Sequence, residues 1–265
     1  MHPMNKFSMM IFIKRLLLFT GFLGIIFGGY PPQSILGQDA KEIVEKATEK
    51  MRGETSEAEV QMKIIRPNWN RTISMKTWTK GTEYSLILIT DPAREEGTTF
   101  LKRENEIWNW VPRIGRTVKL PPSMMKQSWM GSDFRNDDLI KESSMVKDYT
   151  HELVADTLMQ DRETYHIQLH PKPDAPVVWG RVDIWITKKE YLQLRAEFYD
   201  EDNELIDIMK GSDIREMGGR VITSTLEMIP ADKNNQKTVL EYESIIFNEP
   251  ISIDFFTVQN MKRIE

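Results

Sequence analysis

Few residues in this chain have the types and spacing that catalysis needs. A serine nucleophile of the α/β-hydrolase kind sits in G-x-S-x-G between a strand and a helix. Gly131-Ser132 does not match that elbow. The 265 residues include no cysteine, which excludes thiolate chemistry and disulfide staples together. His166 and His170 lie four apart on a segment that reads as a strand. Same-face residues at that spacing are about 13 Å apart, too far to share one ion without other ligands, so both are expected to face solvent. Phosphate loops, dinucleotide fingerprints and EF-hand spacing are absent. Asp137 and Asp138 follow Gly131-Ser132-Asp133, where a short helix is expected to start and run to about Lys141. Its positive N-terminal end would account for both carboxylates. Catalytic residues, a metal and a cofactor are therefore all absent from the expectation.

What the chain has in excess is adaptable apolar side chain, with 16 methionines and 7 tryptophans. Trp108, Trp110, Met124, Met125, Trp129, Met130 and Phe134 gather within one stretch, from Gly97 to Phe134. Core packing explains any one of them. As a group they offer a surface for apolar ligands, and Met124 to Phe134 reads as a mobile cover over it.

The elements that must hold these residues are mostly strands. Asp39 and Glu42 bracket a helix start in the manner of a capping box, Ala40, Ile43, Val44, Ala47 and Met51 recur at helical spacing, and Gly53 ends the helix. From Glu57 the period becomes two, with Ala58, Val60, Met62 and Ile64 on one face. Tyr84 to Ile89 is apolar on both faces and should be covered on both. Further short alternating runs follow, separated by turn residues such as Asp202-Asn203, Gly218-Gly219 and Asn234-Asn235, while Gly211-Ser212-Asp213 also reads as a turn. Ten or so sequential antiparallel strands with one or two helices predict a mainly β fold, a strongly curved sheet or barrel, in one domain.

The order of these segments carries a resemblance. Gly97-Thr98-Thr99-Phe100-Leu101-Lys102, then Trp108-Asn109-Trp110-Val111-Pro112, Arg116-Thr117-Val118-Lys119-Leu120 and Gly131-Ser132-Asp133-Phe134 resemble the LolA-like family of outer-membrane lipoprotein-sorting proteins. Val182 to Ile186, Tyr191 to Leu194 and Phe255 to Val258 fit the same family, so the likeness runs from Ile43 to Ile264. It implies a half-open antiparallel β-barrel closed by helices, whose apolar interior holds the acyl chains of a lipoprotein or lipid in transit through the periplasm. An inner-membrane transporter and an outer-membrane acceptor would be the partners, and the carrier itself a monomer. The inward faces of the strands then supply cavity candidates Met62, Ile64, Leu88, Phe100, Ile184 and Ile186, beside the seven aromatic and Met residues above. An envelope sensor or protein-interaction domain on the same fold is the alternative.

Charge and targeting bound the rest. A net charge of -5 provides no basic field for nucleic acid. Lys14 and Arg15 precede an apolar run from Leu16 to Phe27, followed by Gly28, Gly29, Pro31 and Pro32. That layout predicts a cleavable signal peptide over residues 1–37, cut near Gly37, and a periplasmic chain over 38–265.

Overall fold

The computed structural model describes residues 39–104, 106–138 and 144–264, so the expected signal peptide lies outside the described residues. Residues 55–119 fold as a meander: β1 (Thr55–Arg66), β2 (Trp69–Lys80), β3 (Tyr84–Asp91), β4 (Thr99–Arg103), β5 (Glu106–Val111) and β6 (Arg116–Lys119). A second meander holds β7 (Tyr149–Met159), β8 (Arg162–Pro171), β9 (Arg181–Thr187), β10 (Gln193–Tyr199), β11 (Leu205–Met217), β12 (Arg220–Pro230) and β13 (Lys237–Phe247). β1 pairs antiparallel with β13, placing Met62 opposite Leu240, and this joins the two meanders into one sheet of 13 strands. The strand order runs from β6 through β1 and β13 to β7, whose outer edges do not meet. The sheet is thus curved and open and is not closed into a barrel.

Alternation sorts the side chains onto two faces. The inner face carries Ala58, Val60, Met62 and Ile64 of β1, and Val182, Ile184 and Ile186 of β9. Helix α1 (Ala40–Arg52) lies on it, burying Ile43, Val44 and Ala47 in one cluster with Ile167, Val182, Ile184 and Ala196. Asp39 caps the helix by accepting from the Lys41 amide at 3.0 Å. Gly53 ends it with φ +63°, where an added Cβ would stand 2.6 Å from Asn248 Oδ1.

β3 is covered on both sides, as its double apolar pattern predicts. Ile87 and Ile89 face inward, whereas Leu86 and Leu88 pack outward with Trp78, Leu101, Phe256 and Met261. The C-terminal segment supplies that outer cover through short 3-10 turns at Ile253–Phe255 and Asn260–Lys262. Thr99 Oγ1 donates to the Met261 carbonyl at 2.7 Å and Lys80 Nζ to that of Ile251 at 2.7 Å, tying the cover down.

Three expectations need correction. Residues 132–138 are not helical: Met130 and Gly131 both take left-handed φ angles, of +51° and +80°, and turn the chain back on itself. The returning segment pairs with the outgoing one, the Trp129 amide donating to Phe134 O at 2.8 Å and the Asn136 amide to Gln127 O at 3.0 Å. Gly211-Ser212-Asp213 is no turn but part of β11, whose register with β12 runs through it unbroken, Ser212 opposite Thr225 and Ile214 opposite Thr223, although Asp213 takes a φ of +50°. A Cβ at Gly211 would lie 2.5 Å from the Gln193 carbonyl, so the close strand approach explains the glycine. His166 is half-buried rather than solvent-facing, because its ring stacks on Trp185 at 4.4 Å and its Nε2 meets Asp183 Oδ2 at 3.1 Å.

Candidate functional site

Two halves of the inner face are filled differently. Toward the ends of β1 and β2, residues 120–138 fold down as a strap, with Trp129 buried against Phe100 at a centroid distance of 5.4 Å. Charge pins the strap at its tip. Arg66 Nη1 donates to Asp133 Oδ2 at 2.9 Å, Thr238 Oγ1 donates to the same oxygen at 2.7 Å, and Arg66 Nη2 donates to Gly131 O at 3.1 Å. Farther along, Arg135 Nη2 donates to Asp207 Oδ2 at 3.2 Å, and its guanidinium covers the Trp179 ring at 4.2 Å.

Between the strap, α1 and the sheet remains a cavity of about 230 Å³. Its apolar wall comes from both meanders: Val60, Met75 and Ile87 on one side, Val182, Phe198, Met209 and Met228 on the other, with Leu240, Tyr242 and Ile245 of β13 between. Trp129 and Phe134 roof it from the strap. A polar patch interrupts the wall where the Ser56 and Thr79 hydroxyls bond each other at 2.7 Å, beside Thr77, Ser85 and Arg52. Arg52 Nη1 donates to Gly81 O at 3.0 Å.

The carboxyls under the strap are the other polar element. Asp137 and Asp138 border the cavity, and Asp138 Oδ2 accepts from the Arg135 amide at 2.8 Å. Burial pushes the Asp138 carboxyl up to about 7, with the Asp137 charge acting in the same sense. Burial also raises the nearby Asp207 carboxyl and the Tyr149 phenol. Residues 132–138 do not take up the helix expected to start there, and both carboxyls border an apolar cavity.

The thirteen residues expected from sequence are scattered by this geometry. Trp129 and Phe134 border the cavity. Phe100 and Met130 pack against the buried cluster beneath the strap, and Met62 and Ile64 are fully buried within it. Ile184 and Ile186 are fully buried in the cluster that includes α1. Leu88, Trp108 and Trp110 sit on the opposite, outer face with the C-terminal cover, which removes them from the cavity because successive residues of one strand, such as Ile87 and Leu88, point to opposite faces. Met124 and Met125 are half-buried in the strap, where their carbonyls accept from Asn136 Nδ2 at 2.9 Å and the Asp137 amide at 3.1 Å. Of the wall residues missed, Val60 and Ile87 were legible as inner-face neighbours of Met62 and Ile89. Trp179 was not, since it lies between β8 and β9 in a stretch with no periodicity.

A family model described only as that of a "-like" uncharacterized protein matches residues 81–263. The chain belongs to that family. Solved structures show its fold. A DUF1329 family protein from Desulfovibrio piger is 22% identical with a TM-score of 0.76, the match covering 84% of this chain and 97% of that one. A putative outer membrane lipoprotein-sorting protein domain from Vibrio parahaemolyticus is 19% identical with a TM-score of 0.76, over 84% and 98% of the two chains. A LolA superfamily protein from Nitrosomonas europaea is 22% identical with a TM-score of 0.72, over 84% and 99%. The fold is therefore LolA-like, as the order of motifs implied. No curated protein matches the sequence. Among the described residues no group of three or more His, Asp or Glu is placed to hold a metal ion, and no helix is long and apolar enough to cross a membrane.

Proposed function

We propose that this chain is a carrier that buries acyl chain of a lipoprotein or lipid in the inner-face cavity and moves it through the periplasm toward the outer membrane. The supporting observation is the cavity itself, walled by Met209, Met228, Phe198 and Val182 and roofed by a strap that charged pairs hold down. Its work is reversible burial, so what matters is area and access. Each methylene removed from water contributes about 0.8 kcal/mol, so a chain of roughly sixteen carbons gains on the order of 12 kcal/mol gross. Association costs, about 4 kcal/mol at the low end of their range, offset much of that gain and keep the net affinity low enough for cargo to be handed on.

The cavity volume is below the roughly 300–1,000 Å³ usual for ligand sites. A long chain therefore needs the strap to swing out, and the ion pairs at Arg66 and Arg135 are the contacts it would release. Exchange with an inner-membrane transporter and an outer-membrane acceptor fits such a carrier, as does a monomer with a removable signal peptide. Saturable binding of 1-monopalmitoylglycerol to the mature chain, lost in Met209→Glu without loss of fold, is the expected result. A folded chain that binds no acyl amphiphile would overturn the carrier reading. One observation favours a protein-interaction reading instead: edge strand β7 exposes Leu153, Val154 and Leu158, the last 70% exposed. An extended strand of another protein could add there, and an empty cavity in a purified complex would support it.

A further inference from the structure

An ionisable group in an apolar cavity decides what else can enter. Asp138 is deeply placed, yet part of its surface faces the cavity. One carboxyl oxygen is tied to the Arg135 amide. Among the described residues, the groups facing it are Asp137 and Arg135 on the strap, Asp207 on β11 and Tyr149 on β7. Arg135 spends its guanidinium on Asp207 and the Trp179 ring, and Arg52, elsewhere on the wall, donates to Gly81 O. Among the described residues, carboxylates thus outnumber cations around this pole of the cavity.

Building on the carrier reading, we infer that Asp138 is a specificity-determining residue of the cavity: it admits acyl chains with a neutral head, disfavours those ending in a carboxylate, and takes up a proton as the cavity fills. The first part is like-charge repulsion in a low-dielectric setting, which disfavours two carboxylates unless one is neutralised. The second follows from displacement of water. Hydrocarbon packed against Asp138 removes what solvation its ionised form retains, so binding favours the carboxylic acid. With the empty-state value already raised to about 7, the coupling falls in the physiological range. The neutral acid can also donate a hydrogen bond to an ester or amide carbonyl, which a carboxylate cannot.

Calorimetry on the mature chain tests this with two probes, 1-monopalmitoylglycerol and palmitate, at about pH 6 and about pH 8, in buffers of different ionisation enthalpy. A single linked proton changes affinity by at most about tenfold per pH unit. The expected results are a fall of roughly tenfold in monopalmitoylglycerol affinity from the lower to the higher pH, proton uptake on binding near neutral pH, and palmitate at least tenfold weaker than the glyceride at about pH 8. Asp138→Asn keeps the size and the polar character of the side chain but cannot ionise. It should bind the glyceride with no pH dependence and narrow the gap to palmitate. Saturable binding with a flat pH profile and no proton uptake in the parent overturns the inference while leaving the carrier intact; no binding of either probe overturns both. The probe comparison and the proton count need no variant, so a poorly folding Asp138→Asn does not block the test.

Discussion

Val60 and Met62 are two residues apart on the same face of the same strand, and they meet different surroundings. Both belong to one buried cluster, but Met62, Ile64 and Ile73 have no exposure and do not border the cavity, whereas Val60 opens onto it with Met75 and Ile87. Nothing in the strand makes the difference. It is imposed from above, by a strap whose tip is pinned to Arg66 and Thr238 and whose body stops short of the middle of the face. Alternation in a strand declares which side chains share a face, but whether a face is packed or hollow depends on a segment far away in the chain.

The sharpest break of that comparison is a matched pair of polar substitutions. Met62→Gln places an amide where the side chain has no exposure and no polar neighbour of its own cluster, and should cost about 3 kcal/mol or more. At about 2–4 °C per kcal/mol for a chain of this size, that is a fall of roughly 6–12 °C in Tm. Met209→Gln faces cavity space that water can enter, and should cost under about 1 kcal/mol while weakening uptake of an acyl probe. Equal melting losses in the two variants, read by calorimetry, would mean that the cavity is packed core and the contrast false.

How far the sequence carried this picture follows from the same physics. Helix α1, the two-sided burial of β3 and the mainly antiparallel sheet were legible because each rests on local periodicity and capping. The hollow was not. Ile184 and Ile186 alternate as perfectly as Val182 and share its cluster with α1, yet only Val182 reaches the cavity. Trp108 and Trp110 looked like ligand contacts, but their strand neighbour Leu101 faces the C-terminal cover, and they follow it. The strap resisted a local reading for a different reason. Gly131-Ser132-Asp133 has the composition of a helix start, and two successive left-handed residues override it.

The charged pole of the cavity gives a second effect, comparable in size and opposite in sign. A carboxyl raised in the folded state holds its proton while the unfolded chain has already released it. In the window between the ordinary carboxylate value and about 7 the folded state therefore binds more protons, and stability falls as pH rises through it. Asp138→Asn removes that loss. At 1.36 kcal/mol per pKa unit the variant should gain up to about 4 kcal/mol over the parent at about pH 8, with the gain gone near pH 4. Chemical denaturation at both values measures it. A pH-independent difference would place Asp138 in a polar, solvated setting and remove the acidic pole from the cavity.

The smallest expected effect compares hydroxyls in the two halves. Thr238 is fully buried under the strap tip, where its Oγ1 donates to Asp133 Oδ2 at 2.7 Å and accepts from the Asp133 amide at 2.9 Å. Thr238→Val orphans both, one of them a bond to a carboxylate, and should cost about 1.5 kcal/mol. Thr79 shares a 2.7 Å bond with Ser56 beside the cavity. Thr79→Val also orphans a hydroxyl, but space for water lies next to it, so the loss should stay within about 0.5 kcal/mol. Ser56→Ala combined with Thr79→Val closes a double-mutant cycle whose coupling should be near zero, since water substitutes for either partner. A coupling above about 1 kcal/mol would show that water does not reach the hydroxyls, and the polar patch would then belong to the packed sheet rather than to the cavity wall.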